Sequence, residues 1–416
     1  MKKFIICCLL CIISVTTLLA SEPLRIGIIS DTHYLSEKLM DEGYAIDNYI
    51  HTSARDIKNV PALLDSVISE YAKSNIQVLL ISGDITKDGE KQSHIDFVKR
   101  LKPLQDKGVR VFVVPGNHDI NTNKAKRYVG NKTFDTDNTT PEEFATIYSN
   151  CGYKNAIKRD PASLSYLSSL NDNTWLLTID IARGQYRKNG IKSEMISSQT
   201  EEWILDILKE AQEKQIRVLG MMHWGLVEHL PYQTELFPRY LIHDWKRLAG
   251  LFADNGMKAI FTGHFHSNDI SAFNTNSGNT IYDIETGPLC CYPFVYRLAE
   301  LTEEGINIST KRISSLPRVP MLAEQNKALL KLLVEKTAAQ KLKSFGFSTY
   351  DKSTKELTDI VSRLFLLHVA GDEKIDETLK KRMTQLSELL GTYDEDETVI
   401  PELDFPPADN NILIKF

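Results

Sequence analysis

The ten residues Leu24-Arg-Ile-Gly-Ile-Ile-Ser-Asp-Thr-His33 decide how the chain is read. Ile26, Ile28 and Ile29 are β-branched, the run has strand length, and it stops at Ser30. It therefore predicts a buried strand ending in two side chains able to hold a cation or move a proton, Asp31 and His33. Four further runs repeat the pattern. Gly83-Asp84 follows the apolar run 78–82, and Gly116-Asn117-His118-Asp119 follows 111–114. His223 follows 218–222, and Gly263-His264-Phe-His266 follows 259–262. Each polar group stands just past a strand end, where open α/β sheets collect their ligands.

Taken singly, these segments say little, because a lone aspartate at a strand end is commonly a helix cap and a lone histidine a satisfied core or surface group. Taken together, carboxylates, imidazoles and one amide form the mixed oxygen and nitrogen set preferred by borderline divalent and trivalent ions, without the thiolates of a structural zinc site. Residues two apart on an extended segment point the same way, so Asp31 with His33, and His264 with His266, can each offer two donors. Asp84 has no such neighbour. A carboxylate can give one oxygen to each of two metals, which makes Asp84 the natural bridge.

Outward from these segments, short β-branched runs at 24–30, 77–82, 110–114, 174–180, 216–222 and 258–262 alternate with amphipathic stretches, the pattern of stacked α/β layers. Residues 61–73 predict a helix, and Ser198-Gln-Thr-Glu201 reads as a capping box opening a helix over 202–213. Three alternating runs at 281–285, 295–300 and 305–308 predict a closing antiparallel meander. After Pro320 the strand signal ends. Leucine stripes beginning at Leu322, Leu357 and Leu379 predict three helices in a small bundle, with the stripes as packing surface. The acidic run Asp394-Glu-Asp-Glu397 and the tail with Pro401, Pro406 and Pro407 read as a solvated extended terminus. The division expected is a leader over 1–20, a catalytic domain over 21–317, and a helical domain with its tail over 318–416. The segment 121–170, with Lys124, Lys126, Arg127 and Tyr128, is either a lid near the metal site or a surface excursion.

At 416 residues the chain exceeds what one core usually organises. A net charge of −6 leaves no basic reservoir for phosphate-backbone binding, so a nucleic-acid polymer is not the expected partner. Met1-Lys-Lys3, the mostly apolar run 4–20 and polar Ser21-Glu-Pro23 have a signal-peptide layout with cleavage after Ala20, which predicts a secreted or periplasmic protein. An uncleaved anchor is the alternative and the one expected membrane contact. A lipoprotein site at Cys11 lacks the small preceding residue, since Leu10 stands there. Beyond the leader only Cys151, Cys290 and Cys291 remain, read as buried thiols or one bridge involving Cys151. His51, His94, His229, His243 and His368 lie outside the five segments and are taken as structural.

The five segments resemble the calcineurin-like metallophosphoesterase superfamily, whose ordered pattern D-x-H, G-D, G-N-H-D/E, H and G-H-x-H is present here complete, over roughly residues 24 to 310. The resemblance implies an α/β fold, a four-layer αββα sandwich, with the helical bundle appended. It implies two metal ions, manganese or iron with zinc as the alternative. One would be held by Asp31, His33, Asp84 and His266, the other by Asp84, Asn117, His223 and His264. It assigns a metal-bridging hydroxide as nucleophile, and to His118 contact with the phosphoryl group or protonation of the leaving alkoxide.

Purple acid phosphatases carry a tyrosine where this chain has Lys87, and Ser/Thr protein phosphatases read G-D-x-x-D-R-G where it has Gly83-Asp-Ile-Thr-Lys-Asp-Gly89. Exported 5′-nucleotidases append an α/β domain, which this leucine-rich segment does not resemble. The chain is most similar to class III cyclic-nucleotide phosphodiesterase-like proteins, so the expected substrate is a small-molecule phosphodiester. A phosphomonoester, or a phospholipid or cell-envelope diester, is the alternative on the same site. A non-catalytic protein that binds through its helical domain is the alternative of another class.

Overall fold

The computed structural model describes residues 22–182, 195–344, 346–348, 350–390 and 407–416. The expected leader, the acidic run 394–397, Pro401 and Pro406 lie outside these residues. The strands, in order, are β1 (Leu24–Ile29), β2 (Val78–Ile81), β3 (Arg110–Val113), β4 (Lys126–Val129), β5 (Lys132–Asp135), β6 (Lys158–Arg159), β7 (Tyr166–Asn171), β8 (Thr174–Ile179), β9 (Arg217–Met222), β10 (Met257–Thr262), β11 (Ile270–Asn274), β12 (Thr280–Glu285), β13 (Val295–Leu301), β14 (Gly305–Arg312) and β15 (Asn411–Lys415). The α-helices are α1 (Tyr44–Ser53), α2 (Val60–Lys73), α3 (Lys91–Gln105), α4 (Pro141–Ile147), α5 (Ser198–Glu213), α6 (Gln233–Leu236), α7 (Trp245–Asp254), α8 (Leu322–Ser344), α9 (Lys352–His368) and α10 (Glu377–Leu390).

Two sheets form the middle of a four-layer αββα sandwich. One runs β15-β14-β13-β1-β2-β3, and the other β11-β12-β10-β9-β8-β7-β6. Strands β1, β2 and β3 are parallel, as are β8, β9, β10 and β12. β2 and β8 are buried along their whole length, as central strands covered on both faces must be. The sheets are tied across the core. Ser82 Oγ donates to the Thr262 carbonyl at 3.1 Å, and Tyr166 Oη donates to the Val113 carbonyl at 2.9 Å.

On the outside of the first sheet, α2 buries Leu63, Leu64, Val67, Ile68 and Tyr71, an apolar stripe at helical spacing. Tyr71 Oη donates to the carbonyls of Ile28 at 2.9 Å and Arg297 at 3.1 Å, pinning the helix to β1 and β13. On the outside of the second sheet, α5 and α7 bury Ile204, Ile207 and Leu208, and Leu248 and Phe252, in the same core.

Four expectations are corrected. The cap of α5 is Ser197, one residue earlier than the capping box placed it, with Ser197 Oγ accepting from the Thr200 N–H at 3.1 Å. The three runs after residue 279 do not form one meander. β12 pairs parallel with β10 in the second sheet, and the chain then crosses to the first sheet, where β13 pairs antiparallel with β1 and β14. Both arrangements alternate alike, so periodicity does not distinguish them. The last residues are not a solvated tail, because β15 adds to β14 with Ile414 opposite Ile306, and Ile414 is buried. The helices are as expected in number, but their stripes do not all pack. Ile360 and Leu379 join α9 to α10, whereas Leu332 on α8 is 63% exposed. α8 is held at its start by Leu322, buried in the main core, and by Asn326, which donates to the Ala54 carbonyl at 2.8 Å and accepts from the Tyr292 N–H at 2.6 Å, and further along by Lys331, 2.7 Å from Asp359 of α9.

Candidate active site

Because β1, β2, β3, β9 and β10 all run the same way within their sheets and the sheets lie face to face, the residues just past their ends meet on one rim. There the backbone turns sharply. Asp31, His33, Asp84, His264 and His266 have φ of 50°, 40°, 46°, 75° and 65°, a region uncommon for residues with a Cβ and costing roughly 1–2 kcal/mol each. Two glycines permit the close approach. A Cβ on Gly116 would lie 2.2 Å from Asp84 Oδ1, and one on Gly263 would lie 2.0 Å from Ser30 Oγ and 2.4 Å from Asp31 Oδ2.

The seven side chains read as metal ligands gather in two groups. His266 Nε2 lies 3.1 Å from Asp31 Oδ1 and 3.3 Å from His33 Nε2, and His33 Nε2 lies 3.6 Å from Asp84 Oδ2. On the other side, His223 Nε2 lies 3.3 Å from Asp84 Oδ1 and 3.2 Å from Asn117 Oδ1, with His264 completing the cluster. Asp84 thus faces each group with a different oxygen. His264 turns to the second group and His266 to the first, each on left-handed rather than extended backbone. Asp31, His33, Asp84 and His223 are buried, while Asn117, His118, His264 and His266 are half-buried and form the open side.

Neighbouring groups orient these ligands. His223 Nδ1 is 2.8 Å from the Ser82 carbonyl, which leaves Nε2 for the site. Asp31 Oδ2 accepts from Ser30 Oγ at 2.6 Å and the His264 N–H at 3.0 Å, while Asp31 Oδ1 is buried against His266 Nε2. Burial raises the Asp84 carboxyl, but His223, His118 and His33 override this and hold it well below the ordinary range. Burial lowers His223 and His266, yet Asp84 and Asp31 bring them up to about 9 and about 10. Burial and the neighbouring His223 take His264 down to about 3. These carboxylates hold positive charge on His223 and His266, and the buried set of carboxylate, imidazole and amide donors fits a dinuclear metal centre.

Three contributors had no separate signal in the sequence. Asp88 Oδ1 is 2.8 Å from His118 Nδ1, which also lies 2.9 Å from the Lys87 carbonyl, so Nε2 of His118 is the nitrogen left for chemistry. Asp119 is a latch: its carboxylate accepts from the N–H groups of Ile85, Thr86 and Gly116 at 3.2, 2.9 and 2.8 Å, locking two ligand loops together. Tyr240, 36% exposed, sets its ring 5.0 Å from that of His264. Lys87 is turned away from the metal groups, paired with Asp88 and held over the ring of Tyr49 at 4.6 Å and of Tyr128 at 5.5 Å. Tyr128 belongs to the β4–β5 hairpin of the segment 121–170 and is buried with Leu35, Leu39, Ile46 and Ile57. Cys151, Cys290 and Cys291 are free buried thiols, and Cys291 Sγ lies 3.9 Å from His266 Nδ1.

A model of the calcineurin-like phosphoesterase family matches residues 24–268, well over half of the chain. The chain belongs to that family. The calcineurin-like phosphoesterase assignment makes it a metal-dependent phosphoester hydrolase with a dinuclear centre. Among its relatives, the 3′,5′-cyclic adenosine monophosphate phosphodiesterase CpdA of Haemophilus influenzae is 23% identical over 287 residues, 64% of this chain and 86% of that protein. A probable cyclic nucleotide phosphodiesterase of Vesicomyosocius okutanii is 35% identical over 68 residues, 16% of this chain and 28% of that protein's length. A dimetal phosphatase from Danio rerio has a similar structure with a TM-score of 0.49 and 15% identity, covering 70% of this chain and 97% of that one.

Proposed function

We propose that the chain is an exported phosphodiesterase acting on a small-molecule phosphoester, nominally a 3′,5′-cyclic nucleotide. The observation that carries the reading is Asp84, which offers one oxygen to the His33 side and the other to the His223 side of the site. One ion would be held by Asp31, His33, Asp84 and His266, and the second by Asp84, Asn117, His223 and His264. Manganese or iron suits these donors, and such ions supply an activated water and charge neutralisation at the phosphoryl oxygens. The remaining work falls to side chains. His118, half-buried and held through Nδ1 by Asp88, delivers a proton from Nε2 to the leaving alkoxide. Tyr240 offers an aromatic face beside His264 on which a base can stack. The CpdA relative supports the diester and cyclic-nucleotide preference. The layout of residues 1–23 supports export, with Ser21 as the mature start, and a net charge of −6 speaks for a small substrate over a nucleic-acid polymer.

The test is hydrolysis of bis(p-nitrophenyl) phosphate and cyclic AMP by chelator-stripped protein, before and after Mn²⁺, alongside Asn117→Ala. Manganese-dependent turnover of both diesters, lost in the variant, is expected. Ready hydrolysis of p-nitrophenyl phosphate with both diesters untouched refutes the diesterase reading. Export is tested separately by the N-terminal residue of protein recovered outside the cytoplasm, expected to be Ser21.

A further inference from the structure

Behind the catalytic rim lies a second polar cluster that the mechanism does not use. Asp269, three residues after His266, meets His368 at the end of α9 and Glu373 just beyond it. All three are buried, at 6%, 6% and 3% exposure. Asp269 Oδ1 is fully engaged, accepting from Ser271 Oγ at 3.0 Å and facing His229 Nδ1 at 2.6 Å. Its Oδ2 is instead 3.9 Å from His368 Nδ1, too long for a hydrogen bond, and the three side chains each offer a ligand atom within 4.8 Å of the others. His368 Nδ1 is 2.6 Å from Glu373 Oε1, while Glu373 Oε2, on the same carboxyl carbon and so at the same cluster, is buried without any hydrogen-bond donor. A buried carboxylate oxygen with no donor is costly unless a charge completes it.

We propose that Asp269, His368 and Glu373 form a third cation site, structural in role, that takes one Zn²⁺ or Mn²⁺ ion. One imidazole nitrogen with two carboxylates is a donor set for those borderline ions. An imidazole ligates only through a nitrogen that carries no proton, so ion binding through His368 Nδ1 sends any proton held there to solvent. The site stands at a junction of three distant segments. Asp409 Oδ1 accepts from the Ile270 N–H at 2.8 Å and its Oδ2 from the Asp372 N–H at 2.6 Å, and Asn268 Nδ2 donates to Asn410 Oδ1 at 3.0 Å. Phe265, between two catalytic histidines, stacks on His368 with ring centres 5.7 Å apart. The cation thus clamps the C-terminal helices against the loop that carries His264 and His266. Buried nearby, Arg297 donates to the Glu285 and Asp409 carbonyls, and His229 Nε2 lies 3.3 Å from Asp283 Oδ2 and 3.5 Å from Glu285 Oε2, so neither serves Glu373 Oε2.

The experiment uses the full chain. Protein equilibrated with Zn²⁺ and desalted is assayed for metal by mass spectrometry, as wild type, as Glu373→Gln, and as a double Asp84→Ala, His223→Ala variant. Glu373→Gln should hold one equivalent of Zn²⁺ fewer than wild type, and the double variant should still hold the equivalent that Glu373→Gln loses. Equal zinc in wild type and Glu373→Gln overturns the proposal. Because the substitution could unfold the chain, wild-type crystals soaked in Zn²⁺ give an independent reading at the zinc edge. An anomalous peak among the three side chains is expected, and its absence overturns the proposal whatever the dinuclear centre shows.

Discussion

Replacing Gly116 by alanine is the sharpest test of how the site is assembled. The new Cβ would fall 2.2 Å from Asp84 Oδ1 and 2.4 Å from the Asp84 backbone nitrogen, where ordinary contact begins at 3.4 Å. Asp84 cannot swing aside freely, since Oδ1 also accepts from the His118 N–H at 2.8 Å and the residue is buried. Something must therefore move by roughly 1 Å, a displacement of reacting groups that costs about 100-fold in rate. Overpacking of this kind removes about 1–3 kcal/mol of stability, which a chain of this size tolerates. The expected result is a folded protein whose manganese-dependent hydrolysis of bis(p-nitrophenyl) phosphate falls about 100-fold in kcat/KM, with weakened metal retention. Gly250 is the control. It lies inside α7 with only Phe273 Cε1 near its would-be Cβ, at 3.8 Å, so Gly250→Ala should leave activity intact and gain about 0.5–1 kcal/mol. Activity of Gly116→Ala within threefold of wild type would show that Asp84 does not need this backbone approach.

Asp88→Asn should lower kcat about 10- to 100-fold with metal content unchanged, since His118 loses its carboxylate but keeps the Lys87 carbonyl; an unaltered kcat removes Asp88 from the mechanism. Tyr71→Phe deletes one buried hydroxyl that donates to two carbonyls and should reduce unfolding free energy by about 1–2 kcal/mol in urea titrations without touching activity; equal stability refutes the pinning of α2. Burial takes His94 down to about 4 from 6.5, so between those values the unfolded chain binds the proton and the native chain does not. Stability should therefore rise with pH across that window and be lost as pH falls through it, by on the order of 3 kcal/mol. Metal-free His94→Gln should show a stability–pH slope flatter than wild type between pH 4 and 6.5, and parallel slopes would mean that His94 is not held neutral.

Which parts were legible in the sequence follows from the range of the forces involved. The strands bearing the site announce themselves through local β-branched runs, and β1, β2, β3, β9 and β10 fall within a residue or so of the expected bounds. The convergence of Asp31, His33, Asp84, Asn117, His223, His264 and His266 was legible because each follows such a strand in a fixed order. Asp88 was not, because a carboxylate one residue from Lys87 and four from Asp84 reads locally as surface charge; only the fold places it under His118. The strand β15 was hidden by the prolines and acidic residues before it, although Ile412-Leu-Ile414 is an apolar run once it has β14 to lie beside.

The left-handed backbone at His264 and His266 carries a wider consequence. A φ of 75° and 65° at these two residues turns one toward Asp84 and His223 and the other toward Asp31 and His33, the division that the resemblance implied. Only non-local packing can hold such backbone, because neither histidine has the conformational freedom of glycine. Much of that packing comes from beyond the family-matched residues. Phe265 leans on His368, Ile270 is hydrogen-bonded to Asp409, and Asn268 to Asn410, so the loop that sends its two histidines to different groups is braced from α9 and from the residues just before β15. Loosening that brace, for instance by Asp409→Ala, should therefore weaken metal retention at the rim although the substituted residue touches none of the seven ligands. A variant that lost stability but kept both metals would instead mean that the rim is held by the sandwich alone.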